Sequence, residues 1–186
     1  MAGRLVALIR GINVGRAKRV AMADLRTLVE KLGYRDVRTL LNSGNVVFTS
    51  PGGAPGVAAT RIEQSMARHL GVSARVIVVT AAELAAAVTG NPLVKIATNP
   101  SRLMVAFLAS KSDRARLGSL VKQDWAPERL ALGARVAYLW CPPGVIASRL
   151  SDAVGRVLGD AVTVRNWATV TKLHALARAH DDAKAS

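Results

Sequence analysis

The sequence predicts an α+β chain of two similar halves, and three observations carry that reading. Short runs rich in Val, Ile and Leu alternate with segments whose apolar residues return every three to four positions. The alternation occurs twice in one order: strand, helix, strand, strand, helix, strand. Gly- and Pro-containing stretches fall between the runs, where the chain must turn. The 186 residues accommodate one larger domain or two compact ones. At 51% hydrophobic and 20% charged the composition is globular, and with aromatics at 4% the core rests on Val, Leu and Ala.

The first strand is expected over residues 5–9, followed by a basic, glycine-containing loop that reaches Arg19. Met22, Leu25, Leu28, Val29 and Leu32 then repeat at helical spacing, with Gly33 placed to end the helix. Strands over 37–41 and 45–49 flank the polar turn Asn42-Ser43-Gly44-Asn45 and read as a hairpin. After the loop Pro51-Gly52-Gly53-Ala54-Pro55-Gly56, a second helix is expected to turn Val57, Ile62, Met66 and Leu70 inward and to stop at Gly71. A strand over 74–79 closes the unit.

Thr80 and Glu83 have the spacing of a capping box and open a linker helix that ends at Gly90-Asn91-Pro92. This sets the first half at residues 1–90 and the second at 91–186. The second half reads as a strand over 103–108, a helix over 112–122 capped by Ser112, and a hairpin of 129–132 with 135–140. A helix over 145–158, a strand over 162–164 and an extra C-terminal helix over 168–180 complete it. The repeated order implies a tandem of two ferredoxin-like βαββαβ units, although no residue-by-residue repeat is visible.

Three motifs stand out: Ala7-Leu8-Ile9-Arg10-Gly11-Ile12-Asn13-Val14-Gly15, Leu41-Asn42-Ser43-Gly44-Asn45-Val46-Val47-Phe48, and Arg165-Asn166-Trp167-Ala168-Thr169-Val170. Through them, and through Gly90-Asn91-Pro92-Leu93, Pro143-Gly144 and Ser148-Arg149-Leu150, the chain resembles the bacterial family of unknown function DUF1697 over nearly its whole length. The resemblance implies ferredoxin-like halves and brings no activity with it. The chain departs from the family pattern in two places: Arg16-Ala17-Lys18 stands where Gly-Lys-Asn is usual, and Arg149 stands where a lysine is usual. Both departures keep positive charge, but an arginine fork is not a lysine point charge.

In a βαββαβ unit the loop after the first strand and the hairpin between the second and third emerge at one edge. Arg10, Asn13, Gly15, Arg16, Lys18 and Arg19 are therefore expected beside Asn42, Ser43 and Asn45. Glycines admit an anion close to the backbone, the next helix offers N–H groups, and Lys and Arg supply charge, so a phosphate suits this edge. The pattern is neither the Walker sequence nor the dinucleotide fingerprint. The same residues also make an ordinary basic loop and a tight hairpin. A second cluster is expected where Cys141-Pro142-Pro143-Gly144 meets Arg165, Asn166 and Trp167, with Ser148, Arg149 and Lys172 facing it. There Asn166 suits a helix cap and Trp167 suits packing of the last helix.

The net charge of +14 favours polyanionic partners, although it divides evenly between residues 1–93 and 94–186. The sequence offers no run long enough to span a bilayer and one cysteine, which excludes an internal disulfide framework. The expectation is a cytoplasmic protein with no membrane, metal or cofactor partner. His69, His174 and His180 lack metal-ligand spacing, Cys141 lacks a partner base, and Ser43 lies outside any nucleophile elbow. Asp24, Glu63 and Asp124 show no paired-carboxylate pattern. Two functions follow: a binder of nucleic acid or nucleotide phosphate through the basic loop, or an enzyme acting on a small phosphorylated substrate in a cleft between the halves. A protein–protein role is the weaker third. Phe48 is the one aromatic in the third strand of the first half, which argues against base stacking on the sheet face.

Overall fold

The computed structural model describes the backbone of residues 3–182 and the side chains of residues 3–179. Within these residues the chain forms a mixed α/β structure of two four-stranded antiparallel sheets and six α-helices.

The first sheet is built from β1 (Gly3–Ile9), β2 (Arg35–Leu40), β3 (Asn45–Ser50) and β4 (Val76–Thr80), in the spatial order β2-β3-β1-β4. Helix α1 (Met22–Lys31) joins β1 to β2, and α2 (Pro55–Leu70) joins β3 to β4. Alternation along β1 sends Leu5, Ala7 and Ile9 to one face. There they pack with Val46 and Phe48 of β3, Leu25 and Val29 of α1, and Ile62 and Met66 of α2. Helix α2 begins on Pro55, whose fixed φ suits the first helical position, and stops at Gly71 in the left-handed conformation. Its buried stripe is Ala58, Ile62 and Met66. Val57, expected to face inward, is 56% exposed, because it lies about 100° around the helix from Ala58.

After α3 (Ala81–Thr89) the second sheet comprises β5 (Leu103–Leu108), β6 (Arg129–Leu132), β7 (Val136–Trp140) and β8 (Val162–Asn166), in the order β6-β7-β5-β8. Its core joins Ala106 and Leu108 of β5 and Leu139 of β7 to Leu150, Val154 and Leu158. Those last three residues lie on α5 (Arg149–Leu158), and α6 (Trp167–Asp182) ends the described chain.

Two expected helices are corrected. Residues 112–122 form a 3-10 stretch, Lys111–Leu117, and a single α-turn, α4 (Gly118–Val121). Leu117 and Leu120, three apart, are the buried residues there, a spacing that a 3-10 turn serves, while Gly118 and the serines give an α-helix little support. The cap is Ser110 rather than Ser112: its N–H and Oγ–H donate to Asp113 Oδ2 at 2.9 and 2.8 Å. Residues 145–158 likewise divide into a 3-10 turn, Val145–Ala147, and α5. Ser148 has an extended backbone between them and caps α5 by accepting the Ser151 N–H at 2.9 Å.

The chain divides into two compact units. One contains the first sheet, α1, α2 and the start of α3 to Leu84, together with the C-terminal part of α6 from Leu173; the other runs from Ala85 to Lys172. They part within α3, upstream of the Gly90-Asn91-Pro92 break read from the sequence. No helix among the described residues is long and apolar enough to cross a membrane.

Candidate functional site

The register of the first sheet sets the geometry of its loop edge. Leu8 pairs with Asn45, and the Ile9 N–H donates to the Gly44 carbonyl at 2.8 Å, so the turn at 41–44 lies against the chain leaving β1. On the other side the Arg10 N–H donates to the Arg75 carbonyl at 2.8 Å. The loop from Arg10 to Arg19 therefore leaves the sheet between two anchored neighbours.

Asn13 holds the loop in shape. Its Nδ2 donates to the Val20 carbonyl at 2.8 Å and to the Asn42 carbonyl at 2.7 Å, and its Oδ1 accepts the Val20 N–H at 2.9 Å. Its backbone N–H donates to the Lys18 carbonyl at 3.1 Å and closes residues 13–18 on themselves. One amide thus ties the start of the loop to its end and to the hairpin turn. The path needs left-handed backbone at Gly11, Asn13, Gly15 and Lys18, and the turn needs it at Leu41 and Gly44. Asn tolerates that region better than most side-chain-bearing residues, which suits it to position 13.

Arg16, Lys18 and Arg19 are exposed on this braced loop, and among the described residues their side chains hold no hydrogen bond or ion pair. Arg10 is half-buried. Asn42 and Ser43 are exposed on the turn, whereas Asn45 is fully buried, with Nδ2 donating to the Leu40 carbonyl and to Ser43 Oγ, both at 2.9 Å. The structure therefore brings the nine residues of the first cluster to one edge, with Asn13 and Asn45 bracing it from within. The N-terminus of α1 follows one residue after Val20, and Ala21 provides no side-chain cap.

The second cluster has a different character. Trp140 pairs with Leu103 and Asn166 with Met104, which puts the chain after β7 and the end of β8 at one edge, as expected. The polar groups there are largely engaged internally. Ser148 is buried; it donates to the Glu128 carboxylate, and its Oγ lies 3.2 Å from Cys141 Sγ. The Arg149 N–H donates to Glu128 Oε1 at 3.2 Å. Burial pushes the Cys141 thiol up to about 11. The Glu128 charge pushes the same way, and the Ser148 hydrogen bond opposes both.

Arg165 is buried and donates to Thr163 Oγ1 and the Val164 carbonyl, both at 2.9 Å; burial pushes its guanidinium below the ordinary arginine range. Asn166 Oδ1 accepts the Thr169 N–H at 2.9 Å and caps α6. Trp167 is half-buried at the first position of α6, and Lys172 is exposed further along it. Sequence reasoning missed Glu128, a carboxylate 3% exposed that lies in a loop without periodicity and so gave no signal. His69 is exposed near the end of α2 and His174 is half-buried in α6; the His180 side chain lies outside the described residues. Among the described residues no group of three or more His, Cys, Asp or Glu side chains is placed to hold a metal ion.

Comparison with known proteins bears on fold and family. The model of a family described as protein of unknown function, DUF1697, matches residues 2–138. Among solved structures, the conserved bacterial protein SP0830 from Streptococcus pneumoniae matches with a TM-score of 0.73, over 95% of this chain and 99% of that one. The two are 20% identical, a level at which the likeness carries the fold alone. No curated protein matches the chain.

Proposed function

The chain belongs to the DUF1697 family, and from the geometry of its first loop we propose that it binds a phosphate-bearing ligand, a nucleic acid or nucleotide, at the edge formed by the 10–19 loop and the 41–45 turn. One observation carries this reading: Arg16, Lys18 and Arg19 have no internal partner among the described residues, while the backbone beneath them is fixed by Asn13. A backbone already fixed leaves only side-chain freedom to be lost when an anion arrives. No acidic residue occurs between Arg10 and Arg19 to compete for them.

The corresponding edge of the second sheet makes a useful contrast. There Arg135 donates to the Leu108 and Ala109 carbonyls at 3.0 and 2.9 Å, and Arg114 donates to the Gly133 carbonyl at 2.9 Å. Those arginines latch their own loops, whereas in the first unit an asparagine performs that task and leaves the cations to solvent.

We read each sheet with its helices as a ferredoxin-like unit, a reading supported by the order β2-β3-β1-β4 and its repetition as β6-β7-β5-β8. Nucleic-acid binding on the face of such a sheet relies on exposed aromatics. Phe48 is 0% exposed and packs against Tyr34 in the core, so the loop edge is the better surface.

Fluorescence anisotropy tests the proposal, with labelled single-stranded and duplex oligonucleotides and a panel of mononucleotides titrated at several salt concentrations. Oligonucleotide binding that weakens steeply with salt is expected. Arg16→Ala, Lys18→Ala and Arg19→Ala combined should remove most of it without lowering the thermal midpoint. Unchanged affinity in that triple variant sinks the proposal. Saturable binding of one mononucleotide with a shallow salt slope assigns the same loop to a small phosphorylated ligand.

A further inference from the structure

The loop edge carries two side chains that phosphate chemistry does not use. Val14 is 71% exposed and Leu41 is 52% exposed. Each is the immediate neighbour of one partner in the hydrogen bond from Asn13 Nδ2 to the Asn42 carbonyl, so that bond holds both at the same edge. Leu41 moreover stands at φ 57, a left-handed conformation that a branched aliphatic residue seldom adopts. Water would favour a polar or small residue in both places, and Asn or Gly would fit the backbone of position 41 better.

Resting on the phosphate reading above, we propose that Val14 and Leu41 pack against a nucleobase, and that the ligand is accordingly a single-stranded nucleic acid. A nucleotide joins an anionic phosphate to a flat apolar face a few ångströms away. The edge offers the complementary pair, with cations at 16, 18 and 19 and aliphatic surface at 14 and 41. In a duplex the base faces are stacked on one another and only their edges reach the grooves, so aliphatic side chains meet a thymine methyl at most and never a base face. In a single strand the faces are open, and side-chain packing on them is tolerant of sequence. An anionic membrane also combines charge with apolar matter. However, a whole myristoyl chain gives only marginal, reversible membrane binding, and two short aliphatic side chains bury far less than that.

An abasic strand separates base contact from phosphate contact, because it keeps the charge and removes the faces. The experiment compares a single-stranded oligothymidylate of about 12 nucleotides with an abasic oligodeoxynucleotide of equal length and with the corresponding duplex. Each is measured against the full chain and a Val14→Ser, Leu41→Asn double variant; asparagine suits the left-handed backbone at 41. The wild-type protein is expected to bind the thymidylate strand at least about tenfold more tightly than the abasic strand or the duplex. The double variant should lose that preference and keep both its affinity for the abasic strand and its thermal midpoint.

Equal wild-type affinity for thymidylate and abasic strands, or a double variant that keeps the preference, overturns the base contact and leaves the phosphate reading standing. If the wild-type protein binds none of the three at low salt, the single-stranded ligand is overturned, and the phosphate reading falls with it only when the mononucleotide panel also fails to bind. If instead binding to phosphatidylserine vesicles, and not to any oligonucleotide, depends on Val14 and Leu41, the ligand class proposed here is wrong.

Discussion

At Gly44 a Cβ would stand 2.8 Å from Ile12 Cδ1 and 2.9 Å from Ile9 Cβ, on a backbone with φ of 79°. The glycine lets the hairpin turn rest on the buried start of the basic loop, and its small size is as necessary as its conformation. Gly44→Ala should therefore cost about 2–4 kcal/mol in a urea titration, by strain at positive φ and by overpacking against the two isoleucines. A variant as stable as its parent would mean that turn and loop do not touch. Asn13 tests the other half of the brace. Gly tolerates its φ of 55°, so Asn13→Gly removes three side-chain hydrogen bonds without steric strain at that position. Amide exchange over residues 14–19 should quicken and oligonucleotide affinity should fall, although no cation has been removed; unchanged exchange would show the brace to be idle. The sequence made the shared edge of loop and turn legible, because strand order brings those segments together. Which asparagines face inward was not legible, since Asn13, Asn42 and Asn45 have one chemistry and differ only in where the backbone points them.

Capping separates what was readable in the elements from what was not. Thr80 and Glu83 form the expected box, the Glu83 N–H donating to Thr80 Oγ1 and the Thr80 N–H to Glu83 Oε2, each at 3.0 Å. Its partners are three residues apart, so sequence spacing suffices. The cap of α5 was not readable, because Ser148 is held by Glu128, 20 residues away in the chain. The same network makes a prediction about pH. The folded Cys141 titrates at about 11, against an ordinary value of 9.0 in an unfolded chain. Below 9 both states keep the thiol proton, and the favourable contribution of the buried thiol is complete. Between 9 and 11 the unfolded chain releases its proton first and is favoured, so the unfolding free energy falls as pH rises. Cys141→Ala removes this titration, and its loss of packing lowers stability at both pH values alike. Urea midpoints at pH values of about 8 and about 10.5 should fall further for the wild-type protein than for the variant. Equal falls would mean that the thiol is not shielded as the structure has it.

A net charge of +14 attracts any polyanion, so binding by itself does not distinguish the loop from the molecule as a whole. The distinction lies in how charge is deployed. Arg114 and Arg135 give their guanidinium groups to backbone carbonyls, and Arg116 donates to Asp113 and to the Val157 carbonyl, whereas Arg16, Lys18 and Arg19 sit unpartnered among the described residues on a braced loop. If long-range attraction alone drives binding, removing any three exposed cations has the same effect. Lys31, Lys95 and Lys122 are exposed and provide that control, since replacing them with alanine lowers the net charge as much as replacing the three loop residues does. Each phosphate neutralised on a single strand contributes about 0.7 to the slope of log affinity against log salt. The loop triple variant should therefore flatten that slope by about 2, while the control variant shifts affinity slightly at low salt and leaves the slope alone. Equal flattening in both would return the binding to net charge. Flattening confined to the loop variant would place the contacts where the structure leaves three cations without partners.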